Sequence, residues 1–195
     1  MPWRGETDVY KIWLSEVMLQ QTQVETVKPY YKRWLNKFPN TQSVADASED
    51  EVLKLWEGLG YYARVRNFKS ACEWIQKENK GEMPVSSDAF RKLKGVGDYI
   101  HAAVRSIAFN EVVPVIDGNV KRVVARLIEL DSAPSKALDV IKKFLIKKIS
   151  HESPGDFNQA IMDLGSTICK PKNPRCSECN ISSFCKSYKN NTVDN

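Results

Sequence analysis

The sequence predicts an all-α protein that ends in a small cysteine-rich module. Three observations carry this prediction. Apolar residues recur at helical spacing over most of the chain, and glycine- and proline-bearing turn signals separate those segments. Four of the five cysteines also crowd between residues 169 and 185.

Taken in order, the helical spacing covers Tyr10–Thr22, Gln23–Phe38, Glu49–Gly58, Ala63–Glu78, Ser87–Leu93, Asp98–Phe109, Asn119–Leu130, Lys136–Ser150 and Asp156–Cys169. Turn signals fall between them: FPN at 38, GLG at 58, KGEMP at 80, KGVG at 94, SAP at 132 and SPGD at 153. Ser48 followed by Glu51 fits a capping box, which places a helix start there. VVPVI (112–116) is the one strand-like run, but it is short and holds a proline, so it reads as a connector.

At 195 residues the chain is one or two domains and can bury a real core. No run reaches the length of a membrane span, and MPWRGETDVYK has no apolar secretory core. An intracellular protein, in cytoplasm or nucleoid, is therefore expected. The formal charge of +5 permits a nucleic-acid partner without demanding one. Clustered cysteines without a secretory signal point to metal rather than disulfides, while Cys72 stands alone in an amphipathic segment and reads as a small core residue.

Cys169, Cys176, Cys179 and Cys185 are spaced C-x6-C-x2-C-x5-C. Four thiolates this close hold a zinc ion or an iron–sulfur cluster. Zinc sites usually use two close pairs; one compact run of four leans toward a single cubane, with zinc left open. Between the first two cysteines, Lys170, Lys172 and Arg175 share a loop with two prolines and no acid. Cations on a loop pinned by metal ligands could meet phosphates with little loss of ordering entropy. A glycine turn, LKGVGDY (93–99), is a second candidate anion site, through Lys94, Gly95, Gly97 and the amides that open the next helix.

Two carboxylates stand out. In KIWLSEVMLQQTQ, Glu16 lies on the apolar stripe with Ile12, Trp13 and Leu19, where an unpaired charge is costly. In VPVIDGNVKRV, Asp117 opens a helix, a position at which aspartate is a favoured cap. One acid held protonated and one held ionised is the pairing used to cleave glycosidic bonds.

PWR (2–4), WLSEVMLQQTQV (13–24), GLGYYARVRN (58–67), LKGVG (93–97), IDGNVKRV (116–123), FNQAIMDLG (157–165) and the cysteine run together resemble the helix-hairpin-helix DNA glycosylases that carry a 4Fe-4S cluster. Within that family they are most similar to the adenine-releasing, MutY-type branch. The resemblance implies a two-lobed fold: a six-helix barrel over residues 6–113, and a cluster lobe formed by 1–5 with 114–195, double-stranded DNA lying in the cleft between them. It implies that Gln21, Thr22, Leu59 and Tyr61 enter or line the duplex, that Gln159 reads the flipped adenine, and that Trp3 and Arg4 line its pocket. It gives Glu16 the role of general acid and Asp117 that of the ionised carboxylate facing the sugar, with Asn119 and Tyr99 orienting them. It also implies a monomer and a role in base excision repair, releasing adenine mispaired with 8-oxoguanine or guanine.

Where the bifunctional endonuclease III has an attacking lysine, this chain has Tyr99, which cannot form an imine. A monofunctional glycosylase is expected. Lys94 replaces a proline common in the hairpin, and the chain starts at PWR where relatives have a preceding helix. It ends ten residues after Cys185, without the C-terminal Nudix-like domain with which full-length bacterial members read 8-oxoguanine. Two alternatives stand beside this reading: a thymine or uracil mismatch glycosylase on the same fold, and a non-catalytic DNA-binding iron–sulfur module.

Overall fold

The computed structural model describes residues 1–193, and among them every regular element is helical. The chain divides into two compact units, Met1–Ala108 and Phe109–Asn195, the last two residues of which lie outside the described part. Residues 1–5, expected with the second lobe, fall in the first unit. The cause is Trp3, which is buried and packs edge-on against Tyr31 at 5.4 Å between ring centroids.

The first unit holds α1 (Val9–Leu19), α2 (Val24–Lys37), α3 (Thr41–Asp46), α4 (Glu49–Trp56), α5 (Ala63–Glu78), α6 (Ser87–Arg91) and all but the last residue of α7 (Asp98–Phe109). Asp8 caps α1 through the Tyr10 amide at 2.9 Å, and the expected capping box forms at Ser48 and Glu51. The stretch TQSVAD is too short to show a period, so α3 escapes pattern reading. It forms because Asn40 and Ser43 make a capping box of their own and because Val44 is fully buried. Cross-links to α5 hold it there: Gln76 donates to the Thr41 hydroxyl, and the Lys69 ammonium to the Ala45 carbonyl.

An aromatic chain forms the core of this unit. Trp13 lies 4.4 Å from Phe68 and 5.7 Å from Phe90; Trp34 lies 5.6 Å from Trp56 and 6.1 Å from Phe68. These five side chains come from α1, α2, α4, α5 and α6. Each buries roughly 150–250 Å², so packing rather than helix propensity fixes these short helices. The polar edge of Trp34 is satisfied: its indole donates to the Tyr10 hydroxyl, which donates to the Phe38 carbonyl.

The second unit holds α8 (Gly118–Ile128), α9 (Leu138–Ile146), α10 (Pro154–Thr167), two 3-10 turns at Cys176–Glu178 and Ser182–Phe184, and α11 (Lys186–Lys189). Val120, Val123, Val124, Ile141, Leu145 and Ile161 make its core. The connector before α8 is not a strand. Its backbone is paired by one buried side chain: Val115 N–H donates to Asn158 Oδ1 at 3.0 Å, and Asn158 Nδ2 donates to the Val113 carbonyl at 2.9 Å. Helix α10 opens with Pro154 in its first turn, two residues earlier than the periodicity indicated, because proline fits a position whose amide has no helical partner.

Candidate active site and cluster site

Helix α1 carries Glu16 into the interior of the first unit, where it is 4% exposed between buried Ile12 and Trp13. Tyr99, half-buried on α7, donates its hydroxyl to Glu16 Oε2 at 2.7 Å. The sequence separation is 83 residues, so only the fold brings these two together. Beyond α1, Gln21 is exposed and Thr22 half-buried. In the second loop Tyr61 is 62% exposed, whereas Leu59 is 5% exposed. Leu59, expected at the duplex, has its side chain buried in the DNA-free chain, and its carbonyl accepts from Arg64.

The hairpin at 93–97 turns through Gly95, whose φ of +84° suits glycine. A side chain there would also collide with Asn67, with Cβ atoms 2.9 Å apart. Lys94 and Gly97 are exposed, and a Cβ at Gly97 would meet nothing within 4 Å. Lys94 and Gly95 line a cavity of about 110 Å³ together with Gln20, Arg64 and Asn67. Arg4 sits half-buried beside Trp3.

In the second unit Asp117 caps α8 and both of its oxygens are used. Oδ1 accepts from the Val120 amide at 2.7 Å, and Oδ2 accepts from Asn119 Nδ2 at 3.0 Å. Asn119 Oδ1 in turn accepts from Arg122 Nη2 at 2.9 Å. Arg122 also donates to the carbonyls of Gly165 (2.7 Å) and Cys169 (2.8 Å). A continuous line of contacts thus runs from the Asp117 carboxylate to the backbone of the first cysteine. Gly165 is what lets α10 come so near: a Cβ there would sit 2.6 Å from that of Asn119. Gln159 is half-buried on the same helix.

The four cysteines line one cavity with Arg126, Ile168 and Tyr188. Among the described residues no three His, Cys, Asp or Glu side chains are placed to hold a single ion. Four thiols lining one cavity are a donor set that suits a cluster, which takes one thiolate at each of four irons. Burial, then the neighbouring cysteines, push the Cys176 thiol up. Arg126 braces the module, donating to Cys169 Sγ at 3.4 Å and to the carbonyls of Lys170 and Pro171. In the loop that follows, Lys170 and Lys172 are exposed, while Arg175 is shared with Glu178 at 2.8 Å and the Thr167 carbonyl.

Sequence reasoning did not single out Arg64, Arg122 or Arg126. The i, i+4 spacing of Arg122 and Arg126 opposite Val123 and Val124 was the available signal for two of them; nothing local marks Arg64.

Residues 14–146 match the model of the HhH-GPD superfamily base excision DNA repair proteins, and residues 169–185 match the iron-sulfur binding domain of endonuclease III. The chain belongs to the HhH-GPD superfamily, and its cofactor is a 4Fe-4S cluster. It is 42% identical to the adenine DNA glycosylase of Mus musculus, with 97% of this chain aligned to 39% of that protein. It is 40% identical to the adenine DNA glycosylase of Buchnera aphidicola subsp. Baizongia pistaciae, with 99% of this chain on 55% of that one. The chain thus spans between two fifths and just over half of these relatives. Among solved structures, a thermostable thymine-DNA glycosylase superposes with a TM-score of 0.86 at 28% identity, covering 97% of this chain and 88% of that one. A non-covalent endonuclease III–DNA complex gives 0.78 at 24% identity over 92% and 84%, a likeness of fold.

Proposed function

We propose that this chain is a monofunctional, adenine-specific DNA glycosylase of base excision repair, acting on duplex DNA in which adenine is mispaired with 8-oxoguanine or guanine. The observation that carries this reading is the buried Glu16 carboxyl with the Tyr99 hydroxyl 2.7 Å away, where a bifunctional enzyme needs a lysine amine. In this reading the Glu16 carboxyl enters the reaction carrying a proton. Glu16 donates that proton to a ring nitrogen of the purine as the N-glycosidic bond breaks, and the bonding pair leaves with the base. Asp117, ionised and fixed by the Val120 amide and Asn119, stabilises the cationic sugar. Water then adds to the sugar carbon and returns a proton to Glu16, leaving an abasic site.

Cys169, Cys176, Cys179 and Cys185 hold the cluster, which supplies structure to the 169–185 module. Lys170, Lys172 and the Gly95–Gly97 hairpin contact phosphates, and Gln21, Thr22 and Tyr61 meet the duplex interior. Gln159, Trp3 and Arg4 contact the extruded base. The protein acts as a monomer within the cell's DNA compartment. Identity to adenine glycosylases near 40% supports the choice of base over thymine release.

A single-turnover panel of A·8-oxoguanine, A·G, T·G and U·G duplexes tests this. Adenine should leave fastest, without a nicked product and without borohydride trapping. Glu16→Gln and Asp117→Asn should each slow release by about 10²–10⁴-fold. Faster thymine than adenine release would refute the assignment of base; unchanged release in both variants would refute the assignment of catalytic groups.

A further inference from the structure

Arg64, in the first turn of α5, meets more acceptors than any function assigned so far requires. Its Nη1 donates to the carbonyls of Val17 (3.1 Å), Met18 (3.0 Å) and Gln20 (2.6 Å), the acceptors left over where α1 ends. Its Nη2 donates to Thr22 Oγ1 (3.3 Å) and to the carbonyls of Leu59 (3.1 Å) and Gly60 (3.1 Å). Each terminal nitrogen carries two protons and faces three acceptors, so at least one proton on each is shared. The guanidinium also lies 5.3 Å from the Trp56 ring centroid and 5.5 Å from that of Tyr61.

The two loops so joined share a second property. Gln21 has φ +55° and Tyr61 has φ +48°, the latter after Gly58 at +95° and Gly60 at +70° in its loop. Side chains other than glycine adopt that left-handed region only where surrounding contacts hold them there. Neither Gln21 nor Tyr61 is held by burial, since both are exposed. The fork bonds the chain next to each of them: one nitrogen on the exit of α1, the other spanning the Thr22 hydroxyl and the 59–60 carbonyls. Trp56 adds a further contact on the second loop, its indole donating to the Gly60 carbonyl at 3.0 Å. A lysine could not do this, because its ammonium is a single point with no fork to reach two segments at once.

We propose that Arg64 is a positioning residue that locks the 20–22 and 59–61 loops into one wedge, setting the spacing at which Gln21 and Tyr61 enter the duplex. This rests on the glycosylase reading above. Phosphate contact through the hairpin does not pass through this fork, so loss of Arg64 should separate grip on the backbone from opening of the base stack.

The experiment uses the cluster-loaded chain in a Glu16→Gln background, which prevents turnover, and a duplex with 2-aminopurine beside the mismatch. Wild-type Arg64 should raise the 2-aminopurine fluorescence on binding. Arg64→Ala should cut that rise at least fivefold while affinity for an unmodified duplex changes less than threefold. With Glu16 restored, single-turnover release should fall tenfold or more, and hydrogen exchange should quicken at 20–22 and 59–61 but not in α2. If Arg64→Ala does not fold, Arg64→Lys, which keeps the charge and loses the fork, carries the same test. An unchanged fluorescence rise in a folded variant overturns the proposal, as does a parent chain with no rise on any mismatch. A parent chain that opens the stack yet releases no adenine overturns the adenine assignment alone and leaves the role of Arg64 standing.

Discussion

In the first unit Trp13, Trp34, Trp56, Phe68 and Phe90 are each at most 1% exposed, whereas from Cys169 to Val193 Ser187 alone is buried among the described residues. One region is organised by aromatic burial and needs no cofactor to explain its order. The other consists of 3-10 turns and a four-residue helix, with four thiols around a cavity where a core would be. Such a segment cannot bury enough apolar surface to offset the entropy of ordering its backbone, so ligand bonds must supply the difference. Between the extremes, α8–α10 have a small aliphatic core of valine, isoleucine and leucine.

The largest effect expected from this contrast follows loss of the cluster. Stripping it from the whole chain, or introducing Cys176→Ala, should bring amides in 169–193 to the exchange rate of an unstructured chain. All five tryptophans lie in the first unit, so their fluorescence should not change. Retained protection in the stripped module would remove the basis of the comparison. A smaller effect is expected from Trp34→Ala, which should cost the first unit about 3–5 kcal/mol. In a denaturant titration the fluorescence midpoint should fall while the midpoint of cluster absorbance stays put; a joint shift would mean the two regions unfold as one.

The smallest effect concerns Glu129, the left-handed cap of α8. Its carboxylate accepts from Thr192 Oγ1 and Asn190 Nδ2, each at 2.6 Å, and these bonds hold its pKa below the ordinary value of 4.5. A lowered folded-state pKa adds stability above the ordinary carboxylate value and loses it as pH falls through the lowered one. Protection of the Thr192 amide should therefore drop on acidification below about 4.5. In Glu129→Gln the acid dependence should vanish, and a profile as steep as wild type would assign the loss to another group.

The same contrast explains what could be read from sequence. Long helices with regular burial, such as α5 and α7, were legible to the residue, because period and packing face coincide there. The cysteine module was legible from spacing as a metal site, since metal chemistry fixes residue type and separation together, while zinc against cluster stayed open. Glu16 could be marked as out of place, but its partner Tyr99 could not be derived from local pattern. The brief α3 lacked the length for a period. The arginine fork was invisible because its acceptors are backbone carbonyls, which every residue carries and no sequence pattern displays. Leu59 was expected at the duplex from resemblance alone, and nothing in the local pattern told that its side chain is buried in the DNA-free chain.

The clamp by Asn158 has a consequence in time. The amide that holds Val113 and Val115, and so aims the chain into Asp117, comes 43–45 residues after them. On a ribosome the connector emerges well before its clamp. The connector that leads into Asp117 therefore lacks its clamp until α10 has been synthesised, so this part of the second unit is completed late, after the first unit has had its whole sequence in hand.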